Sequence, residues 1–324
     1  MDSIQLSSVK RPTRAFFTLA LTTAALTLGL IVFGAVVRVT DSGLGCGNHW
    51  PLCNGSIFPP LDNITAWIEW THRLFAALIG VFGLITLGVA WYSYRQNDRS
   101  ALNFTAAAAL LFVVQSLLGA LVVKLDLPPT FVTLHLGVAM LLFGALIAAA
   151  VFARYRPTAA ESDQVTTLAY TNAAFALLII LTGALVRGSG ATLACTEWPL
   201  CTGGTILPTA LGELAMIHML HRIAVLAFGL TLVILVWQVF RTRPDGLVRS
   251  LAVGALVAYL MQAVIGALYV FSVAAPIWGA AHVGMAATTW GLLVVLCVVE
   301  TMKNNEWRSR QKKEGQWNPQ SNAV

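Results

Sequence analysis

The sequence predicts an all-α membrane protein with eight transmembrane helices, arranged as two tandem parallel four-helix bundles. Three observations carry that expectation. Hydrophobic residues make up 57% of the 324 positions and charged residues only 10%, where a soluble domain carries roughly 25% charged. Uncharged stretches recur at lengths that cross a bilayer, which takes ~20 residues. The second half of the chain also repeats landmarks of the first.

The uncharged stretches place the helices in order. They cover residues 15–37, 74–94, 100–123, 127–153, 164–186 and 223–240. A last stretch, 250–299, is long enough for two helices and breaks at Ala274-Ala275-Pro276. The first is too long for the core of a signal peptide and reads as a retained anchor.

Basic residues orient these helices. Lys10, Arg11 and Arg14 precede the first, Arg95 and Arg99 follow the second, and Arg154 and Arg156 follow the fourth. Arg241, Arg243 and Arg249 follow the sixth, and Lys303, Arg308, Arg310, Lys312 and Lys313 follow the eighth. The other side holds only Arg38, Lys124 and Arg187, with Arg73 and Arg222 just inside helices. The positive-inside rule then puts both termini in the cytoplasm. The net charge of +6 follows from this topology, and no nucleic-acid partner is expected.

The repeat is specific. GAVVRVTDSGLGCGNHWPLC begins at Gly34 and GALVRGSGATLACTEWPLC at Gly183. Thr71-His72-Arg73 matches Leu220-His221-Arg222, and the stretch from Gln115 matches that from Gln262. His135 likewise matches His282. Two domains are therefore expected, residues 1–156 and 157–324, joined through the polar segment RYRPTAAESDQ that starts at Arg154. An even number of helices per copy makes the copies parallel.

Four of the six histidines occupy matching places, His72 and His135 in one half and His221 and His282 in the other. Ionisable groups inside a membrane are expensive and mark function. Two imidazoles facing one another across a four-helix bundle form the arrangement that holds a haem iron from both sides; plain interhelical hydrogen bonding is the alternative. Arg38, Arg73, Arg187 and Arg222 sit near the same membrane edge, where guanidinium groups suit haem propionates or snorkel to the interface.

Cys46 and Cys53 share one outer loop and Cys195 and Cys201 the other. Outside the cytoplasm each pair can close a disulfide. The second pair reads as structural; the first reads equally as structural or redox-active. Cys297 reads as a packing residue.

The halves differ three residues before the first histidine, where one carries Glu69 and the other His218. Positions i and i+3 share a helix face. Glu69 is therefore a candidate catalytic carboxylate beside His72, accepting a proton or steadying a cation. Its other reading is a helix-surface ion pair with Arg73. His218 reads as a structural hydrogen-bonding residue.

These features together resemble the haem A synthase family, the Cox15/CtaA-type membrane enzymes. The resemblance spans nearly the whole chain: eight helices in two halves, E-x-x-H-R at Glu69, H-R at His221, and the histidines at 135 and 282. It implies oxidation of a ring methyl of haem O, through an alcohol stage, to the formyl group of haem A for cytochrome oxidase. It further implies a haem b cofactor on His221 and His282, and the haem O substrate at His72 and His135 with Glu69. The expected partners are the bilayer, a haem O-producing farnesyltransferase and an electron acceptor, and the chain is compatible with a homo-oligomer. Competing readings are a di-haem b electron-transfer subunit, which leaves Glu69 and the cysteines unexplained, and a transporter. A prenyl transferase is disfavoured because the seven aspartates are scattered singly.

Overall fold

The computed structural model describes residues 14–96, 99–161 and 163–314. Lys10 and Arg11, used above for orientation, lie outside the described residues. Among the described residues there are eight helices long and apolar enough to cross a membrane. They are α1 (Arg14–Val39), α2 (Ile64–Tyr94), α3 (Ser100–Lys124), α4 (Pro129–Arg154), α5 (Gln164–Gly188), α6 (Glu213–Thr242), α7 (Gly246–Phe271) and α8 (Pro276–Lys313).

The charge-free windows shorten three of these. α2 and α6 begin ten residues before their uncharged runs, because each carries its charged residues in its opening turns: Glu69 and Arg73 in α2, Glu213 and Arg222 in α6. α8 continues past Val299 through Glu300 and Lys303 to Lys313. The helix starts are chemically marked. Asn63 caps α2 by accepting from the Ala66 amide at 3.1 Å, and Asp163 and Asp245 cap α5 and α7.

The short links repeat as well. Asp126 and Leu127 take positive φ (59° and 62°) before Pro128-Pro129, and Val273 and Ala274 (55° and 62°) before Ala275-Pro276. In each link the second left-handed residue donates its amide back into the preceding helix, Leu127 to Val122 and Ala274 to Tyr269, both at 2.9 Å. Those bonds satisfy carbonyls the helix end would otherwise leave open, which offsets the cost of left-handed backbone in residues with a Cβ.

Helices α1 to α4 touch in the cyclic order α1–α2–α3–α4–α1, and α5 to α8 in the order α5–α6–α7–α8–α5. The two groups meet through α1, α4, α5 and α8. The main core therefore sits on α4 and α8, with Met140, Leu293 and Leu296 fully buried. There Gly144 admits the Trp290 ring, to which an added Cβ would approach within 2.6 Å, and Trp290 Nε1 donates to the Ala173 carbonyl at 3.0 Å. Large exposed side chains such as Leu84, Leu110, Leu226 and Val264 point away from this core, as a lipid-facing surface requires.

At the end opposite the disulfide loops, α5–α8 are tied by buried charges. Arg243 bonds Asp163 twice at 2.7 Å and Glu300 at 2.6 Å, while Lys303 meets Asp245 at 2.8 Å. At the matching places of the first half stand Tyr94 for Arg243 and Ala153 for Glu300, within an apolar cluster that includes Phe16 and Ala149.

Candidate functional site

All four repeated histidines lie about two turns inside their helices, near the loop-bearing end. Each ring is seated against a glycine of the preceding helix. A Cβ added at Gly34 would come within 3.2 Å of His72 Cε1, at Gly119 within 3.1 Å of His135, at Gly183 within 3.2 Å of His221 and at Gly266 within 2.9 Å of His282. The Gly-Ala pairs that begin at Gly34, Gly119, Gly183 and Gly266 thus have a steric meaning: the missing side chain is the space the imidazole fills.

The rings are close-packed yet under-bonded. Nδ1 of His72, His135 and His282 is buried with no hydrogen-bond partner. An unpaired polar atom in an apolar bundle is costly, and a bound group that orients the ring or takes its other nitrogen gives the arrangement a use. His72 and His135 stand at similar depth on α2 and α4, and His221 and His282 on α6 and α8. The donor set in each half, two imidazoles from alternate helices, fits a haem iron.

Equivalent rings are held differently. Thr182 Oγ1 donates to the Ile179 carbonyl at 2.8 Å and lies 2.9 Å from His221 Nδ1. One proton cannot serve both acceptors: with it on the Ile179 carbonyl, the hydroxyl accepts from Nδ1–H, which leaves the Nε2 lone pair of His221 free for a metal. The matching residue in the first half is Phe33, whose ring stacks on His72 at 6.1 Å between centroids. His135 is held through Nε2, which lies 3.0 Å from Gln115 Nε2.

Above these rings the two loops are fastened in the same way. Disulfides join Cys46 to Cys53 and Cys195 to Cys201, with sulfur–sulfur distances of 2.02 and 1.99 Å. Arg73 donates to the carbonyls of His49, Pro51 and Leu52 at 2.9–3.3 Å. Arg222 donates to those of Glu197, Pro199 and Leu200 at 2.7–3.2 Å. The twice-written W-P-L-C phrase therefore presents backbone oxygens to the arginine that follows the histidine. Both loops make their Trp-Pro peptide cis.

The structure thus engages Arg73 and Arg222 with the loops. Arg187 crosses between the groups, donating to the Arg38 carbonyl at 3.1 Å and to Asp41 at 2.9 Å, and its Nε is buried without a partner. The Arg38 side chain lies beside Arg187 and Asp41 and is hydrogen-bonded to none of the described residues.

Glu69 is 3% exposed. Its Oε2 accepts from the Cys46 amide at 2.8 Å and its Oε1 pairs closely with Arg73. The carboxylate that shares a helix face with His72 is thus also joined to the first disulfide loop. Gly45 makes the contact sterically feasible, since a Cβ there would fall 2.3 Å from the Thr65 carbonyl carbon. At the matching places the second half has Ala194 and His218, and His218 Nδ1 is buried without a hydrogen bond. Cys297 is a buried free thiol.

The cradling glycines, Thr182, Gln115 and the carbonyl acceptors of the arginines were not singled out from sequence. The Gly-Ala repeats and the repeated glutamines were the available signals for the first and third.

Residues 17–294 match the COX15-CtaA family, described as cytochrome oxidase assembly protein. The chain belongs to this family. It is 33% identical over 268 residues to a protein named heme A synthase from Geobacillus thermodenitrificans, covering 78% of this chain and 81% of that one. It is 30% identical over 290 residues to one from Listeria monocytogenes serovar 1/2a, covering 86% and 94%. A third, from Symbiobacterium thermophilum, is 31% identical over 297 residues, covering 88% and 95%. With these bacterial COX15-CtaA relatives, the eight apolar helices fit a multi-pass protein of the cell membrane.

Proposed function

We propose that this chain is a haem A synthase, oxidising a ring methyl of haem O through an alcohol to the formyl group of haem A. Residues 1–156 take haem O as substrate between His72 and His135. Residues 157–324 keep a haem b between His221 and His282. Both termini lie in the cytoplasm, so the disulfide loops face outward. A farnesyltransferase that makes haem O and an electron acceptor are the partners this activity needs.

The observation that carries the division of roles is the unequal treatment of equivalent histidines. Thr182 sets the tautomer of His221, which suits a permanent ligand. His72 has only the stacked Phe33, and the Nε2 of His135 is shared with Gln115. A substrate that enters and leaves is served by imidazoles whose interim partners can be exchanged.

Held by His221 and His282, a haem b would supply electron transfer. The chain's own residues do the rest. His72 and His135 grip and orient the substrate. Arg38 and Arg187, at the loop-bearing end, supply guanidinium groups for propionates, and Arg73 and Arg222 add positive charge there while closing the loops against water. Glu69 offers Oε1 or Oε2 to a proton released as the methyl is oxidised, or to a positive charge developing beside the ring. Arg73 balances its charge at rest.

The test is expression with a haem O-producing farnesyltransferase, followed by haem extraction and chromatography, against the transferase alone. Haem A, or its alcohol precursor, appearing only with this chain supports the proposal. Haem B firmly bound at two per chain, with haem O unchanged, would replace it with a di-haem electron carrier.

A further inference from the structure

The faces that carry the four site residues continue along the helices away from the loops, and there the halves diverge. On α2 the positions seven and eleven residues beyond His72 are Ile79 and Gly83, about 10 and 16 Å along the axis at 1.5 Å per residue. Leu142 and Leu146 stand in the same relation to His135, Thr27 and Thr23 to Gly34, and Phe112 and Ala108 to Gly119. Together they line an apolar void of about 20 Å³ on the axis of α1–α4. A Cβ built on Gly83 meets nothing within 4 Å.

The second half fills the same axis. Phe228 replaces Ile79 and Leu232 replaces Gly83, with Leu232 and Leu293 at 0% exposure. Tyr259 replaces Phe112, packs edge-on against Phe228 at 5.6 Å between centroids, and anchors its hydroxyl to the Val225 carbonyl at 3.1 Å. One bundle is closed below its histidines by Phe228, Leu232 and Tyr259, and the other leaves a water-sized void at the matching level.

We propose that the axis of α1–α4 below His72 and His135 is the subsite for the isoprenoid tail of the haem substrate, and that Gly83 keeps it open. This rests on the reading that haem O binds between those histidines. Haem O carries its hydroxyethylfarnesyl chain on the porphyrin edge away from the propionates. With the propionates toward the arginines at the loop-bearing end, the tail points down the axis. Haem b has a vinyl group there and needs no such path, which accounts for the Phe228–Leu232–Tyr259 plug. A void of 20 Å³ is little more than one water-sized sphere. The tail therefore enters by turning Phe112 and Ile79 outward, along the α2–α3 seam beside Gly83.

The experiment titrates haem O and haem B separately into detergent-purified protein already holding its α5–α8 haem, reading the Soret change. Gly83→Leu, which copies the plugged half, weakens haem O binding at least tenfold and leaves haem B binding at the same site unchanged. Equal loss for both haems, or no loss for haem O, overturns the tail subsite. If Gly83→Leu loses the α5–α8 haem through misfolding, Ile79→Phe carries the same test with the same two outcomes. His72→Ala separates the layers. If it spares haem O binding, the placement of substrate is wrong and the subsite falls with it. If it abolishes binding while neither plugging variant has any effect, only the subsite fails.

Discussion

Replacing Gly266 by alanine tests whether the glycine cradle positions a metal ligand. The new Cβ would stand 2.9 Å from His282 Cε1 and 3.3 Å from its Nδ1. Carbon atoms in contact prefer about 3.5–4.0 Å, so the ring or its helix must retreat by roughly 0.6 Å. That exceeds the ~0.5 Å within which a binding constellation must be held. Inserting a methyl into a packed site costs about 1–3 kcal/mol, and with ~1.4 kcal/mol per tenfold change in affinity haem should bind roughly 5- to 150-fold more weakly. The assay is haem content per chain together with the affinity of reconstituted haem, read from the Soret band. Gly29→Ala is the control, because nothing lies within 4 Å of its added methyl, and it should retain full haem content. Gly266→Ala binding haem with unaltered affinity and an unshifted spectrum would refute the cradle argument.

Three further outcomes are expected. Arg243→Ala leaves Glu300, 1% exposed, without its closest partner; removing one member of a buried pair costs about 3–5 kcal/mol, so thermal unfolding in detergent should begin well below wild type, and Arg243→Met with Glu300→Leu should recover much of the loss. Burial pushes the carboxyls of Asp163 and Asp245 up, but the Arg243 and Lys303 bonds with the capping amides pull both below their ordinary 3.8. Groups depressed in the fold stabilise it above their unfolded value and lose that contribution as pH falls through the folded value. Thermal stability should therefore hold at neutral pH and decline below about pH 4, and Arg243→Ala should shrink the part of that acid decline due to Asp163. Arg222→Gln removes a charged donor from four carbonyls of the second loop, so limited proteolysis should cut that loop faster while the first loop keeps its wild-type rate.

The spans, the duplication and the matched placing of His72, His135, His221 and His282 were legible because each rests on residue type and spacing. The beginnings of α2 and α6 were not, since Glu69, Arg73, Glu213 and Arg222 are charged residues inside helices. The Glu69–Arg73 ion pair and the loop contacts of Arg73 and Arg222, which make those charges tolerable there, are formed only in three dimensions. The work of Arg73 and Arg222 was equally hidden, because a backbone carbonyl has no residue-type signature. Nor could sequence show that Arg243 and Glu300, more than fifty positions apart, meet in one buried cluster. The cradling glycines lay in plain view within the repeated phrase, but a glycine's partner is whatever fills its missing side chain, and only coordinates name it.

The ion cluster at the far end of α5–α8 gives the two halves different mechanics. That half is latched at both ends, by the Arg222-bound loop on one side and by Arg243, Glu300, Asp163, Lys303 and Asp245 on the other. At the corresponding latch positions α1–α4 have Tyr94 and Ala153 in an apolar cluster. On the division of roles proposed above, the half tied at both ends is the one that keeps its haem, so loosening Arg243, Glu300 or Lys303 should shorten the residence of that haem without touching its histidines.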